Sequence, residues 1–124
     1  MGNMTAGGPE QPLIPQPPST VTALRQAVAQ IAPAALPAFT RELDQAADQA
    51  RQGSDPAPLR RFTTQWAAYV QIQRQPRIAV RLRELEDLTE SADAAQVRRA
   101  AAEIGGILDD AYAYACAAVA RVER

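Results

Sequence analysis

A helical period starts at Ser19 and runs on through the chain, interrupted where prolines and one glycine fall and once more between Glu90 and Asp93. Val21, Leu24, Val28 and Ile31 recur about every 3.6 residues, the spacing of one face of an α-helix. Ser19 or Thr20 can cap this first helix, and Pro33 ends it. Pro37 suits the first turn of a second helix, with Phe39, Leu43, Ala46 and Ala50 on one face and Gly53 as its C-terminal cap. Asp55 and Pro56 restart the chain as N-cap and first helical residue. The third helix carries Leu59, Phe62, Trp66, Tyr69, Val70 and Gln73 on its stripe. Pro76 breaks the chain after Arg74, and a fourth helix follows with Ile78, Leu82, Leu85 and Leu88, ending near Glu90. Asp93 with Gln96 forms a capping box for a fifth. The fifth stripe is the longest: Val97, Ala101, Ile104, Leu108, Ala111, Ala115, Ala118 and Val122.

No strand-like alternation is present, so the expected fold is all-α: a compact bundle of about five helices with a long C-terminal helix, joined by short connections. Residues 1–18 follow another rule. They hold five of the ten prolines and three of the six glycines, a composition that forms neither helix nor central strand. The expected organisation is therefore a disordered Pro/Gly-rich tail over 1–18 and a helical bundle domain over 19–124. Within the tail, "PLIPQPP" also has the make-up of a ligand for an aromatic groove.

Near its end the chain reads "DDAYAYACAAV", which crowds two carboxylates, two phenols and the only thiol into one short span. On a helical wheel they scatter. Asp110 points away from the stripe, Asp109 and Cys116 share one flank with Tyr112 between them and the core, and Tyr114 falls on the other. This is an amphipathic helix, with Cys116 as a small semi-buried apolar residue. Gly105 and Gly106, upstream in the same helix, would permit close packing or a kink.

Composition removes several chemistries. There is no histidine, so Ser–His and Cys–His nucleophile pairs, the usual zinc sites and Glu-x-x-His ligation in a bundle are all missing. No phosphate-binding glycine loop occurs. The carboxylates at Glu84, Glu86, Asp87, Glu90, Glu103, Asp109 and Asp110 read as solvated helix faces. No catalytic, cofactor or metal residues are expected, and the protein is read as non-enzymatic. Thirteen basic residues against fourteen acidic ones give no global pull towards nucleic acid or anionic lipid. The opening residues lack a basic region followed by an apolar run, no segment would span a bilayer, and one cysteine forms no internal disulfide. A cytoplasmic location is expected, without membrane attachment.

Two apolar residues fall off their stripes. Ile72 on the third helix and Val80 on the fourth lie roughly opposite the main faces, and are expected to form an exposed second face with Arg61 and Arg83 as a polar rim. Such a face would receive another protein or a second copy of the chain. Arg60, Arg61, Arg74, Arg77, Arg81 and Arg83 also cluster around these helices, and the alternative reading is a DNA-binding regulator using the Arg-rich helix 77–90. Glu84, Glu86 and Asp87 on that same helix oppose it, and pairs such as Arg83–Glu86 and Arg83–Asp87 account for the arginines without nucleic acid.

The segments "TALRQAVAQIAPAALPAFTRELDQA", "RRFTTQWAAYVQIQRQP", "RLRELE" and "AAEIGGILDDA" resemble a group of small, uncharacterised actinomycete all-helical proteins. The resemblance covers roughly residues 20–112 and leaves the tail outside. Some members of that group neighbour toxin genes, so the resemblance implies an antitoxin-like or regulatory partner role. It carries no catalytic residues. The expected function is thus a protein-interaction module.

Overall fold

The computed structural model of the protein describes residues 11–123, without the side chains of 122 and 123. The side chain of Val122, on the fifth stripe, therefore lies outside what is described. Five α-helices and one short 3-10 turn make up the described residues, with no strand among them. Helix α1 (Val21–Ile31) starts where Thr20 Oγ1 accepts a hydrogen bond from the Ala23 amide at 3.2 Å, so Thr20 is the cap. A 3-10 turn at Pro33–Ala35 leads into α2 (Leu36–Gly53).

The end of α2 departs from expectation. Gly53 is its last helical residue, and the left-handed position is taken by Ser54, at φ 50°. The amides of Ser54 and Asp55 then close the helix by bonding back to the carbonyls of Arg51 and Ala50. Helix α3 (Ala57–Gln73) begins one residue later than predicted, with the Asp55 carboxylate accepting from the Ala57 amide at 3.0 Å. Helix α4 (Pro76–Leu88) ends slightly before Glu90. Ahead of α5 (Ala94–Glu123), Asp93 Oδ1 accepts from the Ala95 and Gln96 amides, as the capping box requires. The return half differs: Gln96 Oε1 accepts from the Ser91 hydroxyl, which in turn accepts from the Asp93 amide.

Helix α3 is the hub. It packs against α1, α2, α4 and α5, while α1 and α2 pack on each other, as do α4 and α5. An element with neighbours on several sides is buried beyond a single stripe. Ala67, Ala68 and Ile72 are accordingly buried along with Phe62, Trp66 and Val70. The main core unites Leu24, Val28, Phe39, Phe62, Trp66 and Val70. Phe39 meets the rings of Phe62 and Trp66 edge-on at 5.0 and 5.1 Å between centroids, the favoured aromatic geometry. Ala79, Leu85 and Ala100 are buried apart from that cluster, where α4 packs on α5.

Helix α5 runs unbroken through Gly105 and Gly106. A Cβ added at either glycine would meet nothing within 4 Å, so neither serves close packing. Ala100 is buried and Ala101 exposed, the reverse of the predicted stripe. No helix of the described residues is long and apolar enough to cross a membrane.

The tail divides. Residues 1–10 lie outside the described residues. Residues 11–18 contain no helix or strand, as expected, yet they are held against the bundle. Leu13 donates its amide to the Arg74 carbonyl at 2.7 Å, and Ile14 packs on the main core. The domain thus includes a strap that was placed outside it.

Candidate interaction surface

The surface predicted from Ile72, Val80, Arg61 and Arg83 does not assemble. Ile72 is only 5% exposed and belongs to the core, because α5 covers the side of α3 that the stripe left open. Val80 is 47% exposed on α4. Arg61 and Arg83 are exposed on different helices. The signal that could have placed Ile72 is the run "WAAYVQI", in which small and apolar residues occupy nearly the whole circumference of α3.

Ile72 instead lines two grooves. The first, about 540 Å³, is floored by Ile72, Ile78 and Ile107 and edged by polar groups from three helices. Arg81 on α4 grips Glu103 on α5 through two bonds, Nε to Oε2 at 2.8 Å and Nη2 to Oε1 at 2.9 Å. Its Nη1 donates to Glu84 at 3.3 Å. The bidentate hydrogen bond to Arg81 holds the Glu103 carboxyl below its ordinary range, and the same bonds raise Arg81. Arg81 pairs with Glu84 and Glu103, whereas, among the described residues, the Arg83–Glu86 and Arg83–Asp87 pairs expected from the sequence are not formed.

The second groove, of about 350 Å³, is also lined by Ile72. Trp66, Tyr69 and Ile72 from α3, Leu82 from α4, and Leu108 and Tyr112 from α5 line it. Its charged side chains are Glu42 and Glu86, both carboxylates. Trp66 donates its Nε1–H to Glu42 Oε1 at 3.0 Å, which orients the indole and ties α2 to the groove. The Trp66 and Tyr69 rings meet edge-on at 5.0 Å, and burial pushes the Tyr69 phenol up from its ordinary value.

Leu108 and Tyr112 were assigned to or beside the core. They are 37% and 41% exposed, because α3 covers the Ala111 and Ala115 face of α5 and leaves this flank open. Cys116, expected to be semi-buried, is exposed further along the same flank. A separate hollow beside it, lined by Arg61, Tyr112 and Cys116 among others, shares Gln65 and Tyr112 with the groove. The chain matches no protein-family model, no curated protein and no solved structure.

Proposed function

We propose that the protein is a non-enzymatic helical module that binds another protein through the Trp66–Tyr112 groove. One observation carries this reading: Leu108 and Tyr112 remain open to solvent in a groove whose other large apolar walls are Trp66, Tyr69, Ile72 and Leu82. Apolar surface left exposed in a concave site gains from being covered, and aromatic side chains anchor such contacts. Helix-in-groove binding fits this shape. Since both charged residues lining the groove are carboxylates, the matching ligand is an amphipathic helix with an apolar face and basic residues on its flank.

An antitoxin-like or regulatory role is the narrower form of this reading, and it follows from the resemblance described above. A cytoplasmic setting belongs to it, since the one cysteine is unpaired. The nucleic-acid alternative has less geometric support, because Arg81 spends its donors on Glu103 and Glu84.

The test pairs Leu108→Glu with Tyr112→Glu in one chain. Both residues are exposed, so circular dichroism should show full helix content. A protein retained by the wild type should lose about tenfold in affinity for the variant, and Glu86→Arg should weaken the same complex. A partner bound equally by all three chains would overturn the reading. Retention on DNA that falls steeply with salt would favour the regulator instead.

A further inference from the structure

The strap has two faces, and they are chemically different. Inward, Ile14 packs on the core, Gln16 and Pro17 are half-buried, and Ser19 is buried. Arg74, at the corner between α3 and α4, holds this side: its Nε donates to Gln16 Oε1 at 3.0 Å and its Nη1 to the Ile14 carbonyl at 3.3 Å, while its own carbonyl accepts the Leu13 amide. Outward, Pro12, Pro15 and Pro18 are all exposed. Leu13 beside them is 57% exposed, more than any other large apolar residue described.

The spacing of the outward residues has a physical meaning. Proline sets its own φ near −65° and pushes the residue before it into extended backbone. Gln16 and Pro17 each precede a proline, so Pro15–Pro18 is confined almost wholly to polyproline II geometry. The chain bends at Leu13 and Ile14 and then runs from Pro15 to Pro18 without a turn or bend. Polyproline II has three residues per turn, which sets Pro15 and Pro18 on one edge. Pro15-Gln16-Pro17-Pro18 is thus a PxxP unit with its two outer prolines, Pro15 and Pro18, turned to solvent and Gln16 between them anchored to the bundle. A strap that served only to cover the core would turn most of its prolines inward; here Ile14 packs on the core and three of the four prolines between residues 12 and 18 face water.

We propose that Pro12–Pro18 is a ligand displayed on the bundle for a partner protein whose aromatic-lined groove takes PxxP segments, as SH3-type grooves do. Such grooves gain from a ligand already in polyproline II form, and the Arg74 anchor removes more of the ordering cost. This surface is separate from the Trp66–Tyr112 groove and stands whether or not that groove binds a helix.

The experiment titrates the full chain, isotopically labelled, with a panel of purified SH3 domains of differing specificity and follows the amide resonances. Binding by at least one domain should shift resonances around Leu13, Ile14 and Gln16. For that domain, Pro15→Ala with Pro18→Ala should weaken binding about tenfold or more, without changing the far-ultraviolet spectrum. Gln16→Ala keeps every proline but loosens the strap from Arg74, and should weaken binding severalfold. A synthetic peptide of residues 11–19 should likewise bind more weakly than the full chain. No domain shifting these resonances, or affinity unchanged by the proline substitutions, would overturn the proposal. Equal or tighter binding by Gln16→Ala would overturn the claim that the bundle presents the ligand.

Discussion

Ile72 and Val80 separate two ways an apolar residue can leave a helical stripe. Ile72 is enclosed by α3's neighbours and contacts the core, whereas Val80 keeps nearly half its surface in water. Truncation should tell them apart. Ile72→Ala removes buried methyl groups and leaves a void, and should cost about 2–4 kcal/mol in urea unfolding. Val80→Ala should stay within about 0.5 kcal/mol. Equal costs would mean that α4 is packed differently from the arrangement described. Trp66 stands at the other extreme, a buried ring whose one polar atom is satisfied by Glu42.

Among the elements, α4 and α5 are held together by the small buried group of Ala79, Leu85 and Ala100 and by the Arg81–Glu103 clamp. The clamp gives this pair of helices a pH dependence. Glu103 in the folded chain sits below its ordinary value of 4.5, so the unfolded state takes up its proton first as pH falls. Its contribution is present above pH 4.5 and is lost as pH drops through the lowered folded value. Both partners are exposed, and salt should weaken the effect. Glu103→Gln should therefore flatten the acid limb of a stability-against-pH curve while leaving neutral-pH helix content intact. An acid limb of unchanged slope in the variant would assign it to other carboxylates.

At the scale of the molecule, stability is shared between a hub and what is laid across it. Helix α3 joins one pair of helices to the other, and the strap covers the corner where α3 turns into α4. Starting the chain at Ser19 would uncover the seat of Ile14 and remove the Arg74 bonds to Gln16 and to the Ile14 carbonyl, leaving its Nε bond to Gln71. Apolar burial and hydrogen bonds would be lost, partly offset by the entropy released from the strap, for a net cost of about 1–2 kcal/mol. That should appear as a fall of several degrees in Tm with helix content preserved. An unchanged Tm would show that the strap rides on the bundle without stabilising it.

Local chemistry was legible from the residues alone. Thr20 and Asp93 cap helices because a side-chain oxygen close to free amides needs no distant partner, and Pro33 and Pro76 mark breaks because a proline nitrogen donates nothing anywhere. The apolar stripe of α3 likewise identified Phe62, Trp66 and Val70 as core. The groove was not legible, although Trp66 and Tyr69 were known to share a face. Periodicity gives the direction of each side chain about its own axis, but not which flanks a neighbour will cover. Ile72 was enclosed and Leu108 and Tyr112 left open by how α5 lies on α3, a choice made by packing between segments far apart in the chain. The strap shows the same division: proline set its backbone form locally, while the Arg74 corner, some sixty residues on, decided which of its edges meets water.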